Sequence, residues 1–270
     1  MMKLKRFGIF VVVSLLTVLF SFPLHAENKL LKGGIWEFPP YQYEDKSGKI
    51  VGYFADLFAA SCEEIGISVN LKMASYARCQ ENTKKGKYDF YISGGKTNAR
   101  QEWGYFPSDG FMFQAWSLVI LKKNVGKIQY TKLEDLKGLK IGIIRGVYYG
   151  KKIMEYTKMH STIEAVSKDI YNYKKLNAGR IDALYAEINV SKYMTKKIGM
   201  QETVFLADRV FVFANMYPVF SKKTVKPELV EKFSEALKKV KASKYHDDLL
   251  KKYNVTILDQ PIERAEEYME

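Results

Sequence analysis

The spacing of hydrophobic positions over residues 29–93 switches repeatedly between a strand period and a helix period. In the segment 53–65, Phe54, Leu57, Phe58 and Ile65 recur at roughly helical spacing, and Gly66 ends the run. Strands that helices separate in this way indicate a mainly parallel sheet with helices on both faces. The pattern predicts strands over 29–36, 67–73 and 88–93 and helices over 53–65 and 76–85.

A second series of the same kind follows an apolar, strand-prone run over 116–121, whereas 94–112 has no regular period. Near the end of the chain, Leu229, Phe233, Leu237 and Val240 share one face of an amphipathic helix. This half is predicted to contain strands over 139–144, 183–186, 210–213 and 216–220, and helices over 151–156, 167–176, 190–197 and within 227–253, with a short helix and turn over 133–138.

One short pattern occurs twice. Gly86-Lys87-Tyr88-Asp89 and Gly179-Arg180-Ile181-Asp182 both consist of a glycine, a cation, a variable residue and an aspartate, and an apolar pair follows each. In both places the glycine ends a predicted helix and the aspartate opens a predicted strand. The repeat predicts two pseudo-symmetric lobes and structural, rather than catalytic, roles for Asp89 and Asp182.

The first 26 residues form a predicted signal peptide. Lys3, Lys5 and Arg6 precede an apolar run over 7–22, and a helix-breaking segment ends at Ala26. The alternative is an uncleaved anchor, but about 16 apolar residues are short for a bilayer span of roughly 20. Because no Cys follows the run, we expect a mature, periplasmic protein without a lipid anchor.

Composition and charge narrow the functional classes. The chain has 270 residues, a length that predicts about two compact units, and 47% of the residues are hydrophobic. Loss of the three basic residues of the signal segment lowers the formal charge from +13 to +10. The lysines are mixed with glutamates on amphipathic stretches, which favours solvated helix faces, and export argues against nucleic acid as a partner. Because the three histidines are far apart and no Gly-rich phosphate loop is present, we predict no metal and no cofactor.

Six motifs, in this order and spacing, resemble the family 3 periplasmic solute-binding proteins for polar amino acids, which share their fold with ionotropic glutamate receptor ligand-binding domains. The motifs are Phe38-Pro39-Pro40-Tyr41, Gly48 to Gly52 with Asp56-Leu57, Gly86 to Asp89, Thr97 to Arg100 with Phe106-Pro107-Ser108, Leu136 to Gly142, and Gly179 to Ala183. The resemblance implies an α/β fold of the type II periplasmic-binding-protein class, in which each lobe is a mainly parallel sheet flanked by helices and two crossing strands form the hinge. Lobe 1 is expected to comprise 27–118 plus 215–270, and lobe 2 to comprise 119–214.

The same resemblance implies a ligand site between the lobes. Arg100 matches the arginine that clamps a ligand α-carboxylate, and a guanidinium suits that role because it binds carboxylates in a bidentate way. Ser93, Gly95 and Thr97 match positions that donate hydrogen bonds to the same carboxylate. Glu187 matches the acidic residue that pairs with the ligand α-ammonium.

Three further features modify this site. Val147 stands where relatives commonly have Ser or Thr, so a hydroxyl on the second lobe is lost, and Tyr148 follows it. Gly95 stands where relatives often have Ser, so that only its backbone amide donates. Phe38 and Tyr76 match positions that line the cleft wall. These departures weaken the prediction of a standard α-amino acid as the ligand but do not affect the predicted fold.

Cys62 and Cys79 are predicted to form a disulfide, because export places this pair of thiols in an oxidising compartment and both lie on helices of lobe 1. The alternative is two buried free thiols. The sequence leaves open whether the two helices share a face of the sheet.

The predicted function is capture of a small zwitterion, an amino acid or a derivative, for an ABC importer by a monomeric protein. Two alternatives stay open: a ligand-sensing receptor for a membrane signalling protein, and a cyclohexadienyl-dehydratase-like enzyme on the same fold. The pair Arg78-Cys79 is similar to stand-alone family members without an evident importer. Because the motifs contain no set of nucleophile, base and orienting residue, we predict no catalytic residues and no enzyme activity.

Overall fold

The computed structural model describes residues 30–200 and 203–257, and within 203–213 it describes the backbone but not the side chains. The predicted signal segment, residues 1–26, lies outside the described residues. Among the helices of the described part, none is both long and apolar enough to cross a bilayer.

The described residues form strands and helices in alternation. The strands are β1 (Leu30–Ile35), β2 (Tyr43–Glu44), β3 (Ile50–Val51), β4 (Ser68–Met73), β5 (Phe90–Gly95), β6 (Gly104–Tyr105), β7 (Met112–Leu121), β8 (Lys140–Ile144), β9 (Thr162–Val166), β10 (Ala183–Glu187) and β11 (Thr203–Ser221). The α-helices are α1 (Tyr53–Glu63), α2 (Tyr76–Lys84), α3 (Asn98–Gln101), α4 (Lys151–His160), α5 (Asp169–Asn177), α6 (Ile188–Lys197), α7 (Pro227–Lys241) and α8 (Lys244–Tyr253).

The main sheet has the strand order β4-β1-β5-β11-β7-β10-β8-β9, and β6 pairs with β11. On one side, β1 is parallel to β4 and β5, and β5 is antiparallel to β11. On the other side, β8 is parallel to β9 and β10, and β10 is antiparallel to β7. We call the β4-β1-β5 side lobe 1 and the β10-β8-β9 side lobe 2. The two sides repeat one topology, as the pseudo-symmetry prediction requires.

The repeated sequence motif forms the same joint in both lobes. Asp89 accepts a hydrogen bond from the Lys32 backbone N–H at 2.7 Å, and Asp182 accepts one from the Lys140 N–H at 2.8 Å. In return, the N–H of each aspartate donates to the carbonyl of the same lysine, at 2.7 and 2.9 Å. The structural role predicted for both aspartates is confirmed.

The long strands β7 and β11 cross between the lobes and pair with each other along most of their lengths. The sequence predicted two strands over 210–213 and 216–220, but the structure has a single strand, β11, with register shifts between residues 205 and 212. β7 starts four residues earlier than predicted, at Met112. The segment 94–112, which has no regular hydrophobic period, contains α3 and β6. Strand β9 was not predicted from the sequence.

The core of lobe 1 is aromatic on both faces of its sheet. Phe58 of α1 packs against Phe90 of β5, with ring centroids 4.4 Å apart, and also contacts Phe233 of α7. On the other face, Tyr76 of α2 meets Tyr91 of β5 at 6.2 Å. Because successive strand residues point to opposite faces, α1 and α2 cover opposite faces of the sheet.

The predicted disulfide between Cys62 and Cys79 is wrong, because both cysteines are free and buried. Cys62 lies one helical turn after Phe58, on the α1 face of the sheet. Cys79 lies on the α2 face, where its thiol donates to the Ile35 carbonyl at 3.3 Å. The sheet separates the two thiols, and burial raises the pKa of the Cys79 thiol to about 12.

Candidate functional site

A cavity of about 530 Å³ lies where the two lobes meet over β7 and β11. Its lining residues come from the loop after β1, the start of α2, the end of β5, the loop that follows β5, α3, both long strands and the loop after β8. The lining consists of Trp36, Phe38, Tyr76, Ser93, Gly95, Lys96, Thr97, Asn98, Arg100, Phe113, Gln114, Trp116, Val147, Tyr148, Gly150, Ala214, Asn215, Met216 and Tyr217. A larger groove of about 950 Å³ on the outer face of lobe 1, beside α7, contains none of the predicted ligand residues.

Arg100 lies at the wall of the cavity with only 9% of its surface exposed. Its guanidinium donates from Nε to Gln80 Oε1 at 3.0 Å, from Nη1 to the Gly95 carbonyl at 2.8 Å, and from Nη2 to the Tyr76 hydroxyl at 2.9 Å. All three acceptors are neutral. Since a guanidinium has five N–H groups, one N–H on each Nη has no hydrogen bond within the described part of the chain.

Thr97 sets the position of Arg100. It is the N-cap of the short helix α3, where its hydroxyl accepts a hydrogen bond from the Arg100 backbone N–H at 3.3 Å. Ser93 is nearly buried: its hydroxyl accepts from Trp36 Nε1 at 3.4 Å and donates to Gln42 Oε1 at 3.3 Å. At Gly95 an added Cβ would meet the Arg100 Nη1 atom at 3.7 Å, an ordinary contact.

Aromatic rings form one wall of the cavity. Phe38 lies between Trp36 and Trp116, with ring centroids at 4.2 and 6.0 Å and nearly parallel planes. The ring centroids of Trp36 and Tyr76 are 4.9 Å apart, and the Arg100 guanidinium carbon lies 5.9 Å from the centroid of the Tyr76 ring. Such a wall suits a flat or apolar ligand body.

Lobe 2 contributes the loop after β8. Val147 and Tyr148 line the cavity, and Tyr148 is 47% exposed at its mouth. Gly146 just before them has φ of 82°, and an added Cβ would lie 3.3 Å from the Ala77 Cβ of lobe 1. The loop therefore contacts α2 across the cleft, and this structure has the lobes in contact.

Glu187 is the one predicted ligand residue that does not line the cavity. It is fully buried at the end of β10, and its Oε2 caps α6 by accepting from the Val190 N–H at 2.9 Å. Its Oε1 is buried without a hydrogen bond. Burial in a low-dielectric environment raises the pKa of this carboxyl group to about 7.

The cavity also contains residues that the sequence reasoning missed, among them Trp36, Lys96, Gln114 and Trp116. Trp36 lies two residues before the Phe38 motif begins and Lys96 lies between Gly95 and Thr97, so proximity to those motifs was a signal for both. Gln114 and Trp116 lie on β7, which is buried along nearly its whole length, so the sequence gives no sign of which face borders the cavity. Within the described residues, no three His, Cys, Asp or Glu side chains are placed to hold a metal ion.

The chain is similar to proteins of one family. A family model, bacterial extracellular solute-binding proteins, family 3, matches residues 33–256. ABC transporter arginine-binding protein 1 of Escherichia coli (strain K12) is 28% identical over 182 residues, which cover 66% of this chain and 71% of that protein.

Two solved structures show the same fold. An ancestral arginine-binding protein bound to arginine has a TM-score of 0.70 at 24% identity, covering 83% of this chain and 97% of that chain. A histidine kinase sensor domain similar to periplasmic binding proteins has a TM-score of 0.73 at 19% identity, covering 86% and 98%. The two-lobe fold predicted from the sequence is confirmed, and the chain belongs to the bacterial extracellular solute-binding proteins of family 3.

Proposed function

We propose that this protein captures a small amino acid, or a closely related carboxylate, between its lobes and delivers it to an ABC importer. The observation that carries the proposal is Arg100, a buried cation at the cavity whose three hydrogen bonds go to neutral acceptors. Its two uncommitted Nη N–H groups suit a bidentate carboxylate. The arginine-binding relative of the ABC transporter class supports the same ligand chemistry.

Lobe closure is the physical basis of capture. We place lobe 1 at 27–118 plus 215–270 and lobe 2 at 119–214, so that β7 and β11 are the two connections. A ligand held by Arg100, Ser93, Gly95 and Thr97 of lobe 1 and by Val147 and Tyr148 of lobe 2 contacts both lobes at once. Because only the closed form offers both sets of contacts, the ligand shifts the population toward closure.

Export completes the proposal. Residues 1–26 act as a signal peptide, the mature chain begins near Glu27, and no Cys is present there to accept a lipid. The mature protein is a free periplasmic monomer. A basic n-region, an apolar run and a small residue before the cleavage point support this.

Binding is favoured over catalysis. Elimination chemistry needs an acid or base aimed at the substrate. Glu187 is the candidate for this role that the sequence offers, and it does not line the cavity. The sensor alternative has the same cleft. Delivery to an importer is preferred because the curated relative is a transporter component.

The test is binding to the purified mature protein. A thermal-shift screen against amino acids and small carboxylates selects ligands, calorimetric titration measures affinity, and analysis of the recovered ligand shows whether it is unchanged. Arg100→Ala leaves a desolvated ligand carboxylate unpaired, which costs about 2–5 kcal/mol. We expect a loss of roughly 30-fold to several-thousand-fold in affinity.

Arg78→Ala is the matched control, because Arg78 is an exposed arginine of the neighbouring helix α2. It should bind as the wild type does. Circular dichroism of Arg100→Ala checks that the lobe is folded. Binding of Arg100→Ala within about threefold of wild type, less than 1 kcal/mol, would contradict the carboxylate site. A chemically altered ligand would contradict the binding-protein assignment.

A further inference from the structure

The described lining of the cavity carries positive charge and no negative charge. Arg100 and Lys96 are cationic, and none of the described lining residues is Asp or Glu. Neither cation forms an ion pair with a carboxylate within the described residues. A ligand whose side chain is cationic would be repelled there, most strongly if it is shielded from water.

Gln114 is a polar side chain at this cavity whose hydrogen bonds are not made. It lies on β7, lines the cavity and has no exposed surface, yet neither its Oε1 nor its Nε2 has a hydrogen bond. Burial raises the pKa of the neighbouring Tyr41 hydroxyl, and the Gln114 amide opposes that shift. Since buried amides in native proteins are nearly always hydrogen-bonded, the Gln114 amide has hydrogen-bonding capacity that the described part of the chain does not satisfy.

The strand register places Gln114 at a distance from Arg100 that a small ligand can span. Gly95, whose carbonyl holds Arg100, pairs with Met216 of β11, and Met216 pairs with Met112 of β7. Gln114 is two residues further along β7, so strand spacing and rise put its Cα roughly 12 Å from that of Gly95. A small ligand whose carboxylate meets Arg100 can therefore direct its other end toward Gln114.

Glu187 lies beside the same cluster but does not border the cavity. Glu187 pairs with Trp116, so that its side chain shares a face with Trp116 and with Gln114 two residues earlier. The indole of Trp116 lines the cavity and the Glu187 carboxylate is fully buried. Gln114 is thus the polar group of this cluster that borders the cavity, while Glu187 caps α6.

We propose that Gln114 selects the ligand by hydrogen-bonding a neutral group at the end opposite the carboxylate. The ligand class is an amino acid or related carboxylate whose far end both donates and accepts hydrogen bonds, as a carboxamide or a ureido group does, and cationic side chains are disfavoured. This specificity rests on the proposed carboxylate site. It differs from the arginine specificity in the name of the E. coli relative.

Two pairs of near-isosteric probes test the proposal by calorimetric titration of the mature protein. L-citrulline carries a neutral ureido group where L-arginine carries a cationic guanidinium group. L-glutamine carries a carboxamide where L-norleucine carries an ethyl group of similar reach. Wild type should bind citrulline and glutamine roughly 10- to 100-fold more tightly than their counterparts, as expected when a buried polar group gains or loses its partner.

The variant Gln114→Met keeps the length of the side chain and removes the amide. In this variant the preference for L-glutamine over L-norleucine should fall to within about threefold, whereas Gln101→Leu, at an exposed position of α3, should leave it unchanged. The ratio of two affinities measured on one variant is insensitive to a general loss of stability. If Gln114→Met fails to fold, the wild-type citrulline-to-arginine order still decides.

Tighter binding of arginine than citrulline by wild type, or an unchanged glutamine preference in Gln114→Met, overturns the role of Gln114. Arg100-dependent binding of any probe supports the proposed function whatever the order, so the two ideas fail separately. Absence of binding by all four probes overturns the specificity and leaves the carboxylate site to the wider screen.

Discussion

Glu187 has a different role in the structure from the one that its sequence motif predicts. Its motif places it among ligand contacts, but its carboxylate is fully buried and caps α6, with Oε1 lacking a hydrogen bond. An acid with a raised pKa binds a proton in the folded state over a pH range where the unfolded chain has lost it. Its contribution to stability is therefore largest at low pH and decreases as pH rises from about 4.5 through about 7.

Replacement of Glu187 by Gln should remove this pH dependence while keeping an acceptor for the Val190 N–H. Without ligand, we expect Glu187→Gln to gain stability relative to wild type at pH 8, by at most about 3 kcal/mol, and little at pH 4. Urea unfolding at several pH values is the measurement.

The exposed α7 variant Glu231→Gln serves as the control and should track wild type at every pH. A Glu187→Gln curve parallel to wild type between pH 4 and 8 would show that the carboxyl group titrates normally. That result would place it in contact with solvent or ligand.

At the scale of elements, the two helix-to-strand joints show how a local motif builds both lobes. Gly86 and Gly179 have φ of 77° and 65°, the left-handed conformation in which glycine ends a helix at no steric cost. The aspartate three residues later binds the backbone of the first strand of its lobe. Each joint therefore fixes one helix, one loop and two parallel strands.

The two joints should contribute equally and independently to stability. Asp89→Ala and Asp182→Ala each remove one side-chain acceptor for a backbone N–H, which we expect to cost about 1 kcal/mol. Since the joints lie in different lobes, the double variant should lose the sum of the two within about 0.5 kcal/mol.

Denaturant unfolding of both single variants and the double variant measures these losses. Asp89→Asn and Asp182→Asn keep an acceptor oxygen and should lose less than the alanine variants. Equal losses for the asparagine and alanine variants would mean that the hydrogen bond is not what stabilises the joint.

At the scale of the whole molecule, Asn189 of lobe 2 connects α6 to lobe 1. Its amide donates to the Tyr41 hydroxyl at 2.9 Å and to the Thr256 carbonyl at 3.0 Å, and its Oδ1 accepts from the Thr256 N–H at 3.1 Å. A weaker contact at the rim joins Lys168 to Glu37 at 4.0 Å. The lobes are thus held together by protein contacts as well as by any ligand.

Asn189→Ala should shift the protein toward an open form. Loss of three hydrogen bonds between the lobes costs about 1–3 kcal/mol of closure free energy, so ligand affinity should fall roughly 5- to 100-fold through faster release. Small-angle scattering without ligand should show a larger radius of gyration than in wild type.

Asn177→Ala, at an exposed asparagine of α5 in the same lobe, is the matched control and should change neither quantity. An Asn189→Ala protein with wild-type affinity and radius of gyration would show that these hydrogen bonds do not hold the lobes together.

Most of the fold follows from local signals along the chain. The alternation of strand and helix periods, the repeated glycine-to-aspartate joint and the Thr97 to Arg100 motif depend on residues within a few positions of one another. All of the predicted ligand residues except Glu187 line the cavity, because each lies near the end of a strand, in the loop that follows it or in the first turn of a helix. β9 was missed because its half-buried positions alternate only weakly.

By itself, the sequence determined the order of most helices and strands, the pseudo-symmetry of the lobes and the presence of an arginine at the cleft. Only the tertiary structure decided that Cys62 and Cys79 lie on opposite faces of the sheet, that Glu187 turns inward, and that Gln114 borders the cavity. The physical reason is that strand register and the choice of sheet face depend on pairing between segments far apart in the chain. A one-residue change in that pairing would exchange which side chains face the ligand.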